Sequence, residues 1–93
     1  MDAVLLSRSK TVLPDGAIVE IVLWQVPEPA AGSTHRYKYR LSYGRDGRRI
    51  VGFDNERGKG DHRHLEGEER PYAFSTVAAL LEDFQAEIAK RRP

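Results

Sequence analysis

The apolar positions of this chain keep two different rhythms. From His35 to Tyr43 they alternate, with His35, Tyr37, Tyr39, Leu41 and Tyr43 on one side and Arg36, Lys38, Arg40 and Ser42 on the other. That is the period of a strand with one dry face. From Val77 onward the spacing stretches. Val77, Leu80, Leu81, Phe84 and Ile88 fall at i, i+3, i+4, i+7 and i+11, one stripe of an amphipathic helix. Ser75 or Thr76 supplies an N-cap, and Phe74 is placed to staple the first turn. Lys90, Arg91 and Arg92 follow the stripe, where cations complement the helix dipole.

The rest of the chain reads as strands and turns. Val4 to Leu13 is a strand, ended by the turn Pro14-Asp15-Gly16. Ala17 to Val26 is a second. Its two faces, Ile18/Val22/Trp24/Val26 and Val19/Ile21/Leu23, are both apolar apart from Glu20. Such a strand is covered on both sides or forms a dimer face, so a homodimer stays open, and Trp24 is expected in the core. Pro27 to Ser33 is a loop, since its two prolines cannot continue a ladder. Gly44-Arg45-Asp46-Gly47 turns a hairpin that Arg49 to Asp54 completes, and Pro71 to Phe74 is a short strand before the helix. The expected fold is α+β: an antiparallel β-meander of four to five strands with one C-terminal amphipathic helix packed on the sheet. At 93 residues the chain holds one core, hence a single domain over 1–93.

Composition narrows the class. The 40% hydrophobic and 31% charged content is that of a folded globular chain rather than a disordered one. No apolar run approaches the roughly 20 residues of a membrane span, so no membrane role is expected. The N-terminus carries Asp2 where a signal peptide would be basic. With zero cysteines there are no disulfides and no thiol chemistry. A cytoplasmic location is expected. The net charge of +1 conceals a polarity: residues Arg36 to Arg63 carry +5, and residues Leu65 to Glu87 carry −5. A basic middle suits an anionic partner, and equally suits a plain solvated face.

The candidate chemistry lies between Asp54 and His64. This stretch holds Arg57, Lys59 and Arg63 together with His62 and His64, interrupted by Gly58 and Gly60. Histidine titrates near neutral pH, so a pair can supply a base and an acid to one reaction. Cleavage of RNA by its own 2′-hydroxyl needs those two groups and cations near the phosphorus. His62 and His64 are the candidate acid and base, with Arg63 and Lys59 stabilising the developing charge. In an extended segment the two histidines point one way and Arg63 the other; a loop relaxes this. Gly58 and Gly60 would let backbone N–H groups approach a phosphate. Arg57, Asp54, Asn55, Arg36, Lys38 and Arg40 are candidate substrate contacts. No metal or other cofactor is required. A metal site would need a third ligand beside the histidines, with Asp54, Asp61 or His35 as the supply. The same residues also read as ordinary loop, turn and surface groups. Tyr37, Tyr39 and Tyr43 are a base-stacking platform or, more simply, core.

The run Gly52-Phe53-Asp54-Asn55-Glu56-Arg57-Gly58-Lys59-Gly60-Asp61-His62-Arg63-His64, followed by Pro71-Tyr72-Ala73-Phe74 and a helix ending Asp83-Phe84, resembles the TumE-type family of small bacterial proteins. The likeness extends to the early Leu-Pro-Asp-Gly turn and the Ile-Val-Leu-Trp strand, so it spans most of the chain. Members are classed as toxins of type II toxin–antitoxin pairs, usually encoded beside a helix-turn-helix antitoxin. The resemblance implies growth inhibition, with RNA as the target and a cognate antitoxin as partner. It places the site at Asp54, Asn55, His62, Arg63 and His64. The expected activity is that of a metal-independent ribonuclease; the alternative is a non-catalytic module that binds RNA, a ribosome or a protein.

Overall fold

The structure, a computed structural model, describes residues 2–56 and 58–92. Six strands form one antiparallel sheet in chain order: β1 (Val4–Val12), β2 (Ile18–Gln25), β3 (Tyr37–Arg45), β4 (Arg48–Glu56), β5 (Gly60–Leu65) and β6 (Glu68–Pro71). Helix α1 (Val77–Ala89) follows and packs across one side of the sheet, nearest β4. The α+β meander with its C-terminal helix is as expected, but the sheet has six strands rather than four to five. The segment holding His62 and His64, read from sequence as either extended or loop, is strand β5, and the Gly58-Lys59 part before it is a turn. The strand before the helix is Glu68–Pro71, not Pro71 to Phe74.

Each turn has a local cause. Asp46 and Gly47 both take positive φ (55° and 76°), as do Glu66 and Gly67 (51° and 89°). These are the two-residue turns whose twist matches antiparallel strands. At the N-terminus of α1 the cap is Thr76, whose side chain accepts from the Ala79 N–H at 3.0 Å. Phe74 makes its stacking contact on His35, with ring centroids 3.9 Å apart, rather than acting only as a helix staple.

The core lies between α1 and the sheet. Leu80, Phe84 and Ile88 from the helix meet Tyr39, Leu41 and Tyr43 of β3 and Val51 and Phe53 of β4, all buried. Phe53 and Phe84 meet edge to face at 6.1 Å. Burial of each such side chain stabilises by about 1.5–3 kcal/mol. The tyrosines of β3 are thus core, not a stacking platform. The opposite side of the sheet is uncovered. There Trp24 is only partly buried, beside Val22, Lys38 and Arg40, so it is not the core residue its flanking pattern suggests. The apolar second face of β2 looks onto this open side. Among the described residues, no helix is long and apolar enough to cross a membrane.

Candidate functional site

Strand register assembles the site on the uncovered face. Arg40 of β3 pairs with Asp54 of β4, and Asp54 with His62 of β5. One row further along, Ser42 pairs with Gly52, Gly52 with His64, and His64 with Glu69. Directly paired residues share a face, so Arg40, Asp54, His62 and His64 all project from the open side. A register shift in the β3–β4 hairpin adds one more group. Val51 pairs with Tyr43 but Arg49 with Gly44, leaving Ile50 as the extra residue of a bulge. The bulge turns Arg49 to the open side. Its side chain then lies flat over Gly52, where an added Cβ would come within 2.8 Å of Arg49 Cδ. The guanidinium sits 3.8 Å from Asp54 Oδ2.

The polar geometry at the centre is unbalanced. Asp54 and His62 are buried, 8% and 5% exposed. His62 Nδ1 lies 3.1 Å from the Gly60 carbonyl. A carbonyl can only accept, so Nδ1 carries the hydrogen. In a neutral ring, Nε2 is then a lone pair, yet it faces Asp54 Oδ1 at 2.5 Å and Glu69 Oε1 at 3.5 Å. The buried Asp54 Oδ1 has no hydrogen-bond partner among the described residues. His64 Nε2 is 3.8 Å from Asp54 Oδ2, and the two imidazoles meet edge to face at 5.2 Å. Burial and the neighbouring Arg49 lower the His64 pKa, against the opposing pull of Asp54 and Glu69.

The other candidates divide between the faces. Lys38 and Arg40 are exposed on the open side, and a shallow depression joins them to Arg49, Asp54 and Glu56. Lys59 shares a cleft with His62, Glu69 and Arg70 at the end of β5, and stands 3.6 Å from Glu56. Arg63 points to the other side, toward α1, because β5 is extended and its register opposes Phe53. Asn55 is on that side too. It accepts from the Tyr39 N–H at 2.9 Å and donates to the Tyr37 carbonyl at 2.6 Å, binding backbone rather than ligand. Arg36 is exposed just before β3. Arg57 lies outside the described residues. Gly58 does not present its N–H to a ligand, since it donates to Ala31 at 2.6 Å. Instead Gly32, Gly58 and Gly60 allow two loops to touch: a Cβ on Gly32 would meet Gly58 at 3.1 Å. Arg49, Gly52 and Glu69 join the site unannounced by sequence, because bulge and register put them there.

A second histidine–aspartate pair occupies the covered side. His35 Nδ1 accepts from the Tyr37 N–H at 3.1 Å, so Nε2 carries the hydrogen and donates to Asp61 Oδ2 at 2.7 Å. Tyr39 donates its hydroxyl to the same oxygen at 2.5 Å. Burial and this bond raise the Tyr39 pKa far above its usual value, keeping the donor protonated. His35 and Asp61 are therefore committed to each other. Only Asp54, of the three residues considered as a third metal ligand, joins the histidine pair. Asp54, His62 and His64 each offer one ligand atom, all within 4.8 Å of one another.

This is a small α+β protein with a histidine–aspartate centre beside a basic strip on the bare face of its sheet. The chain belongs to the TumE toxin family: the family model described as Toxin TumE matches residues 2–92. No curated protein and no solved structure matches the chain.

Proposed function

We propose that this toxin inhibits growth by cutting RNA with its own side chains, as a metal-independent ribonuclease. The observation that carries the reading is the sharing of one open face by His62 and His64, 5.2 Å apart, with Asp54, Arg49, Arg40 and Lys38. His64, which burial and Arg49 favour in its neutral form, takes the proton of a ribose 2′-hydroxyl. The 2′-oxygen attacks phosphorus, the P–O5′ bond breaks, and His62, entering the step with a second proton on Nε2 beside Asp54, passes that proton to the leaving oxygen. The products are a 2′,3′-cyclic phosphate and a 5′-hydroxyl. Arg49 and Arg40 neutralise the phosphorane, while Lys38 and Lys59 guide the flanking backbone. Arg63, on the covered side, supports β5 rather than touching the phosphate. The target places the protein in the cytoplasm, and its natural partner is a cognate helix-turn-helix antitoxin, encoded beside it.

The test is purified protein with RNA, with and without EDTA, and product ends analysed. Cleavage that survives EDTA and vanishes in His62→Ala and His64→Ala supports the reading. Absence of cleavage, with growth still arrested by the double variant, removes it. A non-catalytic RNA-binding module is the second reading, favoured by Trp24 lying open beside Lys38 and Arg40. In that case binding is strongly salt-dependent and outlives both histidines.

A further inference from the structure

We infer that Asp54, His62 and His64 form a binding site for a borderline divalent cation such as zinc, and that the ion silences the toxin when bound. The second half rests on the proposed acid–base reading; the first half does not.

The inference starts from lone pairs. The Gly60 carbonyl fixes the hydrogen of His62 on Nδ1, which leaves Nε2 pointing at a carboxylate oxygen 2.5 Å away. Two lone pairs at that distance repel unless a cation bridges them: a proton in the acid form of His62, or a metal ion in its place once the pair opens. The same oxygen, Asp54 Oδ1, is buried and has no hydrogen-bond partner among the described residues. A histidine whose far nitrogen donates to a backbone carbonyl is oriented as metal-binding histidines are. His64 Nε2 supplies a third donor, within 4.8 Å of the other two. Donors around a tetrahedral ion with bonds of about 2.0 Å are about 3.3 Å apart, so modest side-chain rotation, opening the 2.5 Å His62–Asp54 pair and drawing His64 in from 3.8 Å, fits the set to the ion. Glu69 Oε1, 3.5 Å from His62 Nε2, is within reach as a fourth ligand.

The donor set chooses the ion. Two imidazoles and one carboxylate favour zinc, copper or nickel, whereas magnesium and calcium prefer all-oxygen sites. Arg49 opposes the ion, since its guanidinium lies 3.8 Å from Asp54 Oδ2. The bulge that aims Arg49 at the site thus tunes it toward phosphate and against metal. Ligation consumes the nitrogen lone pairs that proton transfer needs, so a metallated site cannot act as acid and base.

The experiment is a zinc titration of the untagged full-length chain by calorimetry, with magnesium as control, alongside RNA cleavage and thermal melting. One zinc bound per chain, little magnesium response and a raised melting temperature are expected. His62→Ala and His64→Ala should weaken zinc by more than the roughly 10–100-fold that loss of an outer-shell partner costs. Arg49→Ala, an exposed position that leaves the core intact, should bind zinc more tightly while cleaving RNA less well. Zinc should inhibit cleavage, and EDTA should restore it. Absence of saturable binding by the folded chain, or equal binding by the double histidine variant, overturns the site and leaves the ribonuclease reading standing. Zinc that binds and accelerates cleavage overturns both the silencing and the metal-independent reading. If no RNA is cut under any condition, that reading fails, and the titration alone decides the metal site.

Discussion

Two histidine–aspartate pairs sit back to back across one strand of this protein, and they are built in opposite ways. On the covered side, His35 accepts from one backbone N–H and donates to Asp61, which also takes the Tyr39 hydroxyl. Every hydrogen has one acceptor, and Phe74 closes the ring face at 3.9 Å. On the open side, His62 gives its Nδ1 hydrogen to Gly60 and sets Nε2 against Asp54, whose buried Oδ1 has no hydrogen-bond partner among the described residues. The residue types are alike, and Asp61 and His62 are adjacent in sequence. The difference is bookkeeping of donors and acceptors. A satisfied buried network fixes structure, whereas an imbalance of this kind persists where a proton, a metal or a substrate completes it.

The largest expected effect breaks the comparison most directly. His62→Ala should lower RNA cleavage by about 10²–10⁴-fold, the usual worth of a general acid or base, with circular dichroism unchanged. Asp61→Ala should do the reverse. It strands the His35 Nε2–H and the Tyr39 hydroxyl, at about 1–3 kcal/mol each. In a domain of this size the melting temperature should fall by roughly 4–8 °C for each kcal/mol lost. Cleavage per folded molecule should stay near wild type. A double dissociation between melting and turnover is the expected outcome, and similar losses of both in both variants would contradict it.

The unequal legibility of these regions has a physical basis. The helix and strands β2 to β4 announce themselves through apolar periodicity, because one face of each is packed. β5 gives no such contrast: His62 and His64 alternate with Asp61 and Arg63, so both faces are polar. β6 is an edge strand with all four residues exposed, and nothing in Glu68 to Pro71 marks a dry side. That is why the sheet has six strands where the pattern predicts four to five. The site was legible only where strand geometry alone decides it. Two histidines at i and i+2 share a face once β5 is extended, and Arg63 is lost to the other. Choosing Asp54 over Asp61 as their partner needs the β4–β5 register. Bringing in Arg49 needs a bulge at Ile50, and no residue type marks a bulge in advance. Asn55 reads as a ligand contact from its neighbours, but its face binds it to the β3 backbone instead.

A smaller effect sharpens the comparison through charge. Lys38→Ala and Arg40→Ala should each weaken RNA binding and reduce the magnitude of the log K against log salt slope by about 0.7, the contribution of one phosphate contact on a single strand. Arg63→Ala should leave that slope unchanged, because its side chain is turned toward the helix. A change in slope for Arg63 equal to that for Arg40 would mean that RNA reaches the covered side.

The smallest effect tests whether the two pairs are independent. Phe74→Leu keeps an apolar side chain but removes the ring stacked on His35, a loss of about 0.5–1.5 kcal/mol. Asp61 and His62 share a peptide bond on β5, so any slack in the covered cluster has a short route to the open one. The strand resists that route. His62 is held by the Gly60 carbonyl and by pairing with Asp54 and Pro71, none of which involves Phe74. Phe74→Leu should therefore lower the melting temperature by a few degrees and leave both cleavage and zinc affinity within error of wild type. If zinc affinity shifts while the fold is retained, β5 transmits strain between its faces, and the covered pair is part of the site's support.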